Sequence, residues 1–183
     1  MRIGTSLLAL LVLWSGHAAA WTTETRASGL QVATTPATAT WGDRTLPATF
    51  SVECYPGDDG AFTLMLVVNG VEAFADFPYL DFEGPDAPMN ARDLFRIAAG
   101  DNPALTVSQG GWFTTGTDFA FAHADIPAGD GPVRAVVIAV LAGASPLAVS
   151  IVHPDDPSKA IIAEIPLDGA LPALATATEG CLG

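Results

Sequence analysis

The period of the apolar residues constrains this chain most. Through much of its length they alternate singly, which on an extended backbone places them on one face of a strand. In residues 48–54, Phe50, Val52 and Cys54 share one side while Ser51 and Glu53 share the other, which predicts a half-buried strand with its cysteine inward. In 118–125, Phe119, Phe121 and His123 oppose Asp118, Ala120, Ala122 and Ala124. After Asp130 the period changes. Val133, Val136, Val137, Val140 and Leu141 stand at helical spacing, with Pro132 suited to a first turn and Gly143 to a stop. Alternation returns at 147–153, with 160–165 as a partner strand across 154–158. The tail from Gly169 carries Leu171, Leu174, Thr178 and Cys181 at helical spacing, and Pro172 fits there only in the first turn. The pattern predicts a mostly β domain with two short helices, of α+β class. Its architecture is expected to be an antiparallel β-sandwich or a strongly bent sheet with a C-terminal helix.

Asn69-Gly70 between two apolar runs is a strong hairpin signal, because a type I′ turn needs positive φ at both positions. The resulting hairpin over 62–77 pairs Val68 with Val71, Leu66 with Ala73, Leu64 with Ala75 and Phe62 with Phe77, all on a core face. Its other face pairs Val67 with Glu72, Met65 with Phe74 and Thr63 with Asp76. That mixed face is expected to meet solvent, with Met65 and Phe74 as a small apolar patch and a candidate partner surface. Residues 79–87 read as an acidic, proline-bounded loop, 93–99 and 105–109 as extended chain, and Gly110-Gly111 as a second hairpin turn. Residues 21–47, rich in Thr and Ala, predict short strands near 21–27 and 30–34, with part of the stretch a flexible arm.

The N-terminus has the form of a secretory signal peptide over residues 1–20. Met1-Arg2 is followed by an unbroken apolar run from Leu7 to Trp14, and Ala18-Ala19-Ala20 is a cleavage site ahead of Trp21. The run is too short to span a membrane. Residues 21–183 then form a single domain of 163 residues in an oxidising compartment, a bacterial periplasm or the exterior. The two cysteines, Cys54 and Cys181, both lie in that domain and read as one disulfide. A second uncharged stretch, 135–152, reaches the lower limit for a membrane span. Gly143, Ser145 and Pro146 interrupt it, and a span there would separate the two cysteines, so helix, turn and strand are predicted instead.

Lys159 and five arginines, at 26, 44, 92, 96 and 134, oppose twenty acids in the cleaved chain, and the net charge of −13 becomes −14 without Arg2. Such a surface repels nucleic acid and suits a basic partner, a cation or simple solubility. Catalytic and nucleotide-binding motifs of the G-x-S-x-G, H-E-x-x-H, Walker and G-x-G-x-x-G kinds are absent from the sequence, and no cofactor is expected. Two H-x-D triplets, His123/Asp125 and His153/Asp155, place imidazole and carboxylate on one side of a strand, so together they are candidate metal ligands. Asp58-Asp59 and the run Asp81, Glu83, Asp86 offer oxygen ligands without the spacing of a calcium loop. Ser108, Ser145 and Ser150 are nucleophile types with no supporting context.

The leader, the strand Phe50-Ser-Val-Glu-Cys54 and the ending Ile165-Pro-Leu-Asp-Gly169-Ala-Leu-Pro-Ala-Leu, with Cys181 behind it, resemble two groups of small bacterial periplasmic proteins. One is the invasion-associated locus B kind, the other a periplasmic accessory family of type VI secretion. The resemblance covers about a quarter of the chain and implies a β-rich fold with a final helix and a late cysteine, with no catalytic residue to carry over. The expected function is that of an exported binding or accessory protein without catalytic activity, contacting another exported protein. The alternatives are an acidic inhibitor of a basic hydrolase such as a lysozyme, and a metal-dependent enzyme using the two H-x-D pairs.

Overall fold

The computed structural model describes residues 21–57, 60–125 and 131–182. Segment 1–20, which the sequence pattern reads as a signal peptide, and the Asp58-Asp59 pair lie outside the described residues. Ten strands occur among those described: β1 (Thr22–Thr25), β2 (Gln31–Trp41), β3 (Arg44–Tyr55), β4 (Ala61–Val68), β5 (Phe95–Ala99), β6 (Leu105–Val107), β7 (Gly110–Thr115), β8 (Asp118–Asp125), β9 (Leu147–Val152) and β10 (Ala160–Ile165). They form one antiparallel sheet in the order β6-β5-β9-β10-β2-β3-β4-β8-β7, with β1 also paired to β2. The sheet curls around two helices, α1 (Pro132–Leu141) and α2 (Ala170–Thr178). The bent-sheet form of the expectation therefore holds, and the helices take the place a second sheet has in a sandwich.

Alternation sorts the sheet into two faces. The inner face carries Leu147, Val149 and Ile151 of β9, Ile161, Ala163 and Ile165 of β10, Phe50, Val52 and Cys54 of β3, and Phe62, Leu64, Leu66 and Val68 of β4, all buried. Against it α1 lays Val133, Val136, Val137 and Val140, and α2 lays Ala170, Ala173, Leu174 and Ala177. Pro172 does fall in the first turn of α2, where its missing N–H leaves no bond unmade. Among the described residues no helix is long and apolar enough to cross a membrane.

Residues 21–47 are not an arm. They form β1, β2 and the start of β3, and β2 runs through the middle of the sheet between β10 and β3. Eleven residue pairs join β2 to β3 around a two-residue connection, Gly42-Asp43. Nor is β3 half-buried in the expected way, for Ser51 and Glu53 on its outer side are only 5% and 6% exposed. Glu53 takes a hydrogen bond from Tyr55 Oη at 3.3 Å and faces the Arg26 guanidinium at 3.4 Å.

The Asn69-Gly70 hairpin does not form. β4 stops at Val68, Gly70 takes φ 68°, and Val71–Phe74 winds into a single 3-10 turn. Both edges of β4 are already taken, by β3 through Ala48↔Val68 and by β8 through Phe119↔Val68, so a returning strand has no edge to join. The turn's own amides go elsewhere: Asn69 N–H to the Pro47 carbonyl, Gly70 N–H to Asp118 Oδ1, and Val71 N–H to the Thr117 carbonyl. The predicted core face of β4 survives because side-chain parity depends on the strand alone, not on its partner. Leu66→Ala is accordingly expected to cost about 2–5 kcal/mol by chemical denaturation. Val67→Ala, half-buried on the other side of β4, should cost clearly less.

Two further turn expectations change. Gly110 and Gly111 lie within β7, and the turn to β8 falls at Gly116-Thr117. The acidic loop at 79–87 folds partly inward, as Tyr79, Phe82 and Ala87 are buried. Its aromatic rings complete a cluster in which Phe82 meets Phe121 at 5.5 Å and Phe77 meets Tyr79 at 4.9 Å.

Candidate functional site

Three regions bear on function: His123 and His153 with their neighbours, the cysteine pair and the outer face of the sheet.

His123 and Asp125 end β8 on its inner side, where i and i+2 share a face. His123 Nδ1 lies 2.6 Å from the Ser108 carbonyl, and Nε2 lies 3.4 Å from Asp125 Oδ1. Each ring nitrogen therefore faces an oxygen, which fixes the orientation of the ring. Asp125 is buried, and each of its oxygens accepts a main-chain N–H from the start of α1, Val133 on Oδ1 at 3.2 Å and Arg134 on Oδ2 at 2.9 Å. The residue before the helix, Gly131, has no side chain with which to cap it, so a carboxylate six residues earlier does so. A Cβ on Gly131 would collide with the Asp125 side chain, so any larger residue there must displace the carboxylate. This capping arrangement was not anticipated from the sequence, because it depends on where β8 ends relative to α1.

Burial raises the Asp125 pKa, but the His123 contact and the two N–H donors outweigh it and hold the carboxyl below its ordinary value. A depressed folded-state pKa contributes stability that is present above the unfolded value, about 3.9, and is lost as pH falls through the folded value. Asp125→Ala should therefore cost about 1–2 kcal/mol at pH 7 and flatten the acid limb of the stability profile. Gly131→Ala should reproduce the loss by displacing the carboxylate. Urea denaturation between pH 7 and pH 2 measures both.

His153 follows β9, stacks on Trp41 at 5.8 Å and meets Phe77 edge-on at 5.8 Å. Its Nδ1 accepts the Asp155 main-chain N–H at 3.2 Å, while Asp155 itself is exposed. The structure does not bring the two H-x-D triplets into one ligand set. Among the described residues no three His, Cys, Asp or Glu side chains are grouped so as to hold a metal ion. The physical reason lies in prior commitments: Asp125 caps a helix, His123 Nδ1 holds a carbonyl, and His153 is fixed by ring packing. Asp81, Glu83 and Asp86 are exposed positions of the 79–87 segment. Ser108 meets His123 through its main-chain carbonyl, not its hydroxyl.

Cys54 and Cys181 form the expected disulfide, with Cα atoms 6.0 Å apart. The bond ties the chain just beyond α2 to the inner face of β3. Arg134 of α1 reinforces it by donating to the Cys181 carbonyl at 2.6 Å.

The patch expected from Met65 and Phe74 is absent. Phe74 is fully buried, with the Arg44 guanidinium 5.7 Å above its ring, because the 3-10 turn carries it away from β4. Met65 remains on the outer face, half-buried, and its neighbours there differ from those expected. Across β2, β3, β4, β8 and β7 one row reads Thr34, Ser51, Met65, Ala122, Gly110 and the next Pro36, Thr49, Val67, Ala120, Trp112. Neither row carries a charge, in a chain with 27 charged side chains. The second row ends at Trp112, 43% exposed on the edge strand β7. The face became visible only once strand order was known, since its members come from five separate segments.

Comparison with protein-family models, with curated proteins and with solved structures gives no match to this chain.

Proposed function

We propose that this chain is an exported binding or accessory protein without catalytic activity, which contacts another exported protein through the outer face of its sheet. The observation that carries this reading is the charge-free pair of rows ending at Trp112. Small and apolar side chains on a sheet permit close approach of a partner, and an exposed tryptophan at the border is the residue type that most often anchors an interface. The acids elsewhere steer a basic partner toward the molecule without having to be desolvated at the contact. The Cys54–Cys181 disulfide supports an oxidising compartment, as does the leader-like N-terminus.

Affinity capture from the exporting compartment, with mass spectrometry, tests the reading. Trp112→Asp and Thr49→Arg should each weaken capture of the partner by about tenfold or more. Ile138→Asp, on the exposed side of α1, should leave capture unchanged. Equal capture by all three variants would sink the assignment of this face.

A further inference from the structure

Of the asparagines in the chain, at 69, 90 and 102, only Asn69 precedes glycine. An asparagine so placed is chemically labile, since glycine lacks the Cβ that otherwise screens its main-chain nitrogen from the asparagine side chain. Asn102 precedes proline, which has no N–H to lose. The turn after β4 nevertheless needs its glycine: Gly70 takes φ 68°, a conformation that residues with a side chain rarely adopt. Asn69 and Gly70 are both half-buried, so solvent reaches them.

The fold sets a carboxylate against the nitrogen that would react. Gly70 N–H donates to Asp118 Oδ1 at 3.0 Å. Asp118 begins β8 and is carried there by the pairing of β4 with β8, which sets Val68 against Phe119. The Asn69 side chain hydrogen-bonds the same carboxyl. The main-chain N–H groups on either side are held as well, that of Asn69 by the Pro47 carbonyl at 3.0 Å and that of Val71 by the Thr117 carbonyl at 2.8 Å. The Gly70 N–H and, after it, the Asn69 side chain keep the Asp118 carboxyl below its ordinary value, so it is charged at neutral pH.

We propose that Asn69-Gly70 is a deamidation site that the Asp118 carboxylate holds closed in the folded protein. In the reaction the Gly70 nitrogen gives up its proton to hydroxide and bonds to Cγ of Asn69. The bond from Cγ to the side-chain nitrogen breaks, and that nitrogen takes a proton from water and leaves as ammonia. A cyclic imide remains, and one water molecule opens it to aspartate or isoaspartate. Asp118 opposes the first step in two ways. Its hydrogen bond must break before the proton can leave, and its charge disfavours an anionic nitrogen 3.0 Å away. The product places a second carboxylate beside Asp118, so the modification loosens the turn that had resisted it.

The oxidised, folded protein is incubated at mildly alkaline pH. The peptide containing residues 69 and 70 is followed by mass spectrometry, with isoaspartate resolved by chromatography. Folded wild type should deamidate at least about tenfold more slowly than the same chain reduced and unfolded in urea, the value of one hydrogen bond to a charged group. Asp118→Ala should speed the folded reaction about tenfold or more, while the two chains react alike in urea. Asp118→Asn, which keeps an acceptor of the same size without the charge, should keep the fold and react at a rate between the two. Cys181→Ser separates guarding from stability, because it removes the disulfide at the far end of β3 and leaves Asp118 in place. It should speed the reaction less than Asp118→Ala does. The proposal is overturned if folded wild type reacts as fast as the unfolded chain, or if Asp118→Ala leaves the folded rate unchanged. It is also overturned if Cys181→Ser accelerates the reaction as much as Asp118→Ala, since global unfolding alone would then set the rate.

Discussion

Replacing Cys181 by serine is expected to lower the stability of the oxidised protein by about 2–5 kcal/mol. The bond joins residues 127 apart in sequence, so the chain-entropy model places the upper figure near 5 kcal/mol. The composition of α2 makes the bond matter more. Its buried residues are Ala170, Ala173, Leu174, Ala177 and Thr178, of which only Leu174 is a large apolar side chain. A helix so poor in bulky side chains buries little apolar area and leans on the covalent tie to stay on β1, β2 and β3. Urea denaturation of the variant and of wild type with and without reductant measures the effect. Reduced wild type should fall close to Cys181→Ser. A variant as stable as oxidised wild type would show that α2 holds to the sheet by packing alone.

Phe121→Ala is expected to cost about 3–5 kcal/mol. Phe121 is fully buried at the middle of β8, and its ring lies 4.8 Å from Phe119, 5.5 Å from Phe82, and 6.0 Å from both Phe77 and Tyr79. It thus links the sheet to the inward-folded 77–82 segment, and its loss opens a cavity that neighbouring rings cannot fill without leaving their own contacts. Thr114→Ala, exposed on β7, should stay within about 0.5 kcal/mol. If Phe121→Ala behaved like Thr114→Ala in the same denaturation series, the aromatic cluster would not be the support of that segment.

Much of the secondary structure was legible because its signals are local. The inner faces of β3, β4, β8 and β9 follow from alternation at 48–54, 62–68, 118–125 and 147–153, and β10 from its place as partner strand to β9. The stripe from Val133 to Leu141 marks α1, bounded by Pro132 and Gly143. The inward parity of Cys54, with one partner left in the chain, was enough to predict the disulfide.

The errors share one cause. Asn69-Gly70 carries a genuine turn signal, and Gly70 does adopt positive φ. Whether such a turn closes a hairpin depends on whether the strand before it has a free edge, and β4 has none between β3 and β8. Phe74 left the surface for the same reason, and the Met65 and Phe74 patch went with it. The Thr- and Ala-rich stretch 21–47 reads as short strands and a partly flexible arm, but β2 within it is paired with both β10 and β3, and a strand so paired can hold its place through ladder hydrogen bonds and small side chains. The His123/Asp125 pair was read correctly as two groups on one face. What the pair does was decided by α1, whose unsatisfied N–H groups claim the carboxylate.

The amino-acid sequence by itself determined the class of fold, the core side of most strands, both helices and the covalent tie, because each depends on a residue and its near neighbours in the chain. Only the tertiary structure decided strand order, and with it the curl of the sheet, the two charge-free rows on its outer face and the capping of α1 by Asp125. Each of these joins residues from separate segments, and side-chain period carries no information about which segments lie side by side.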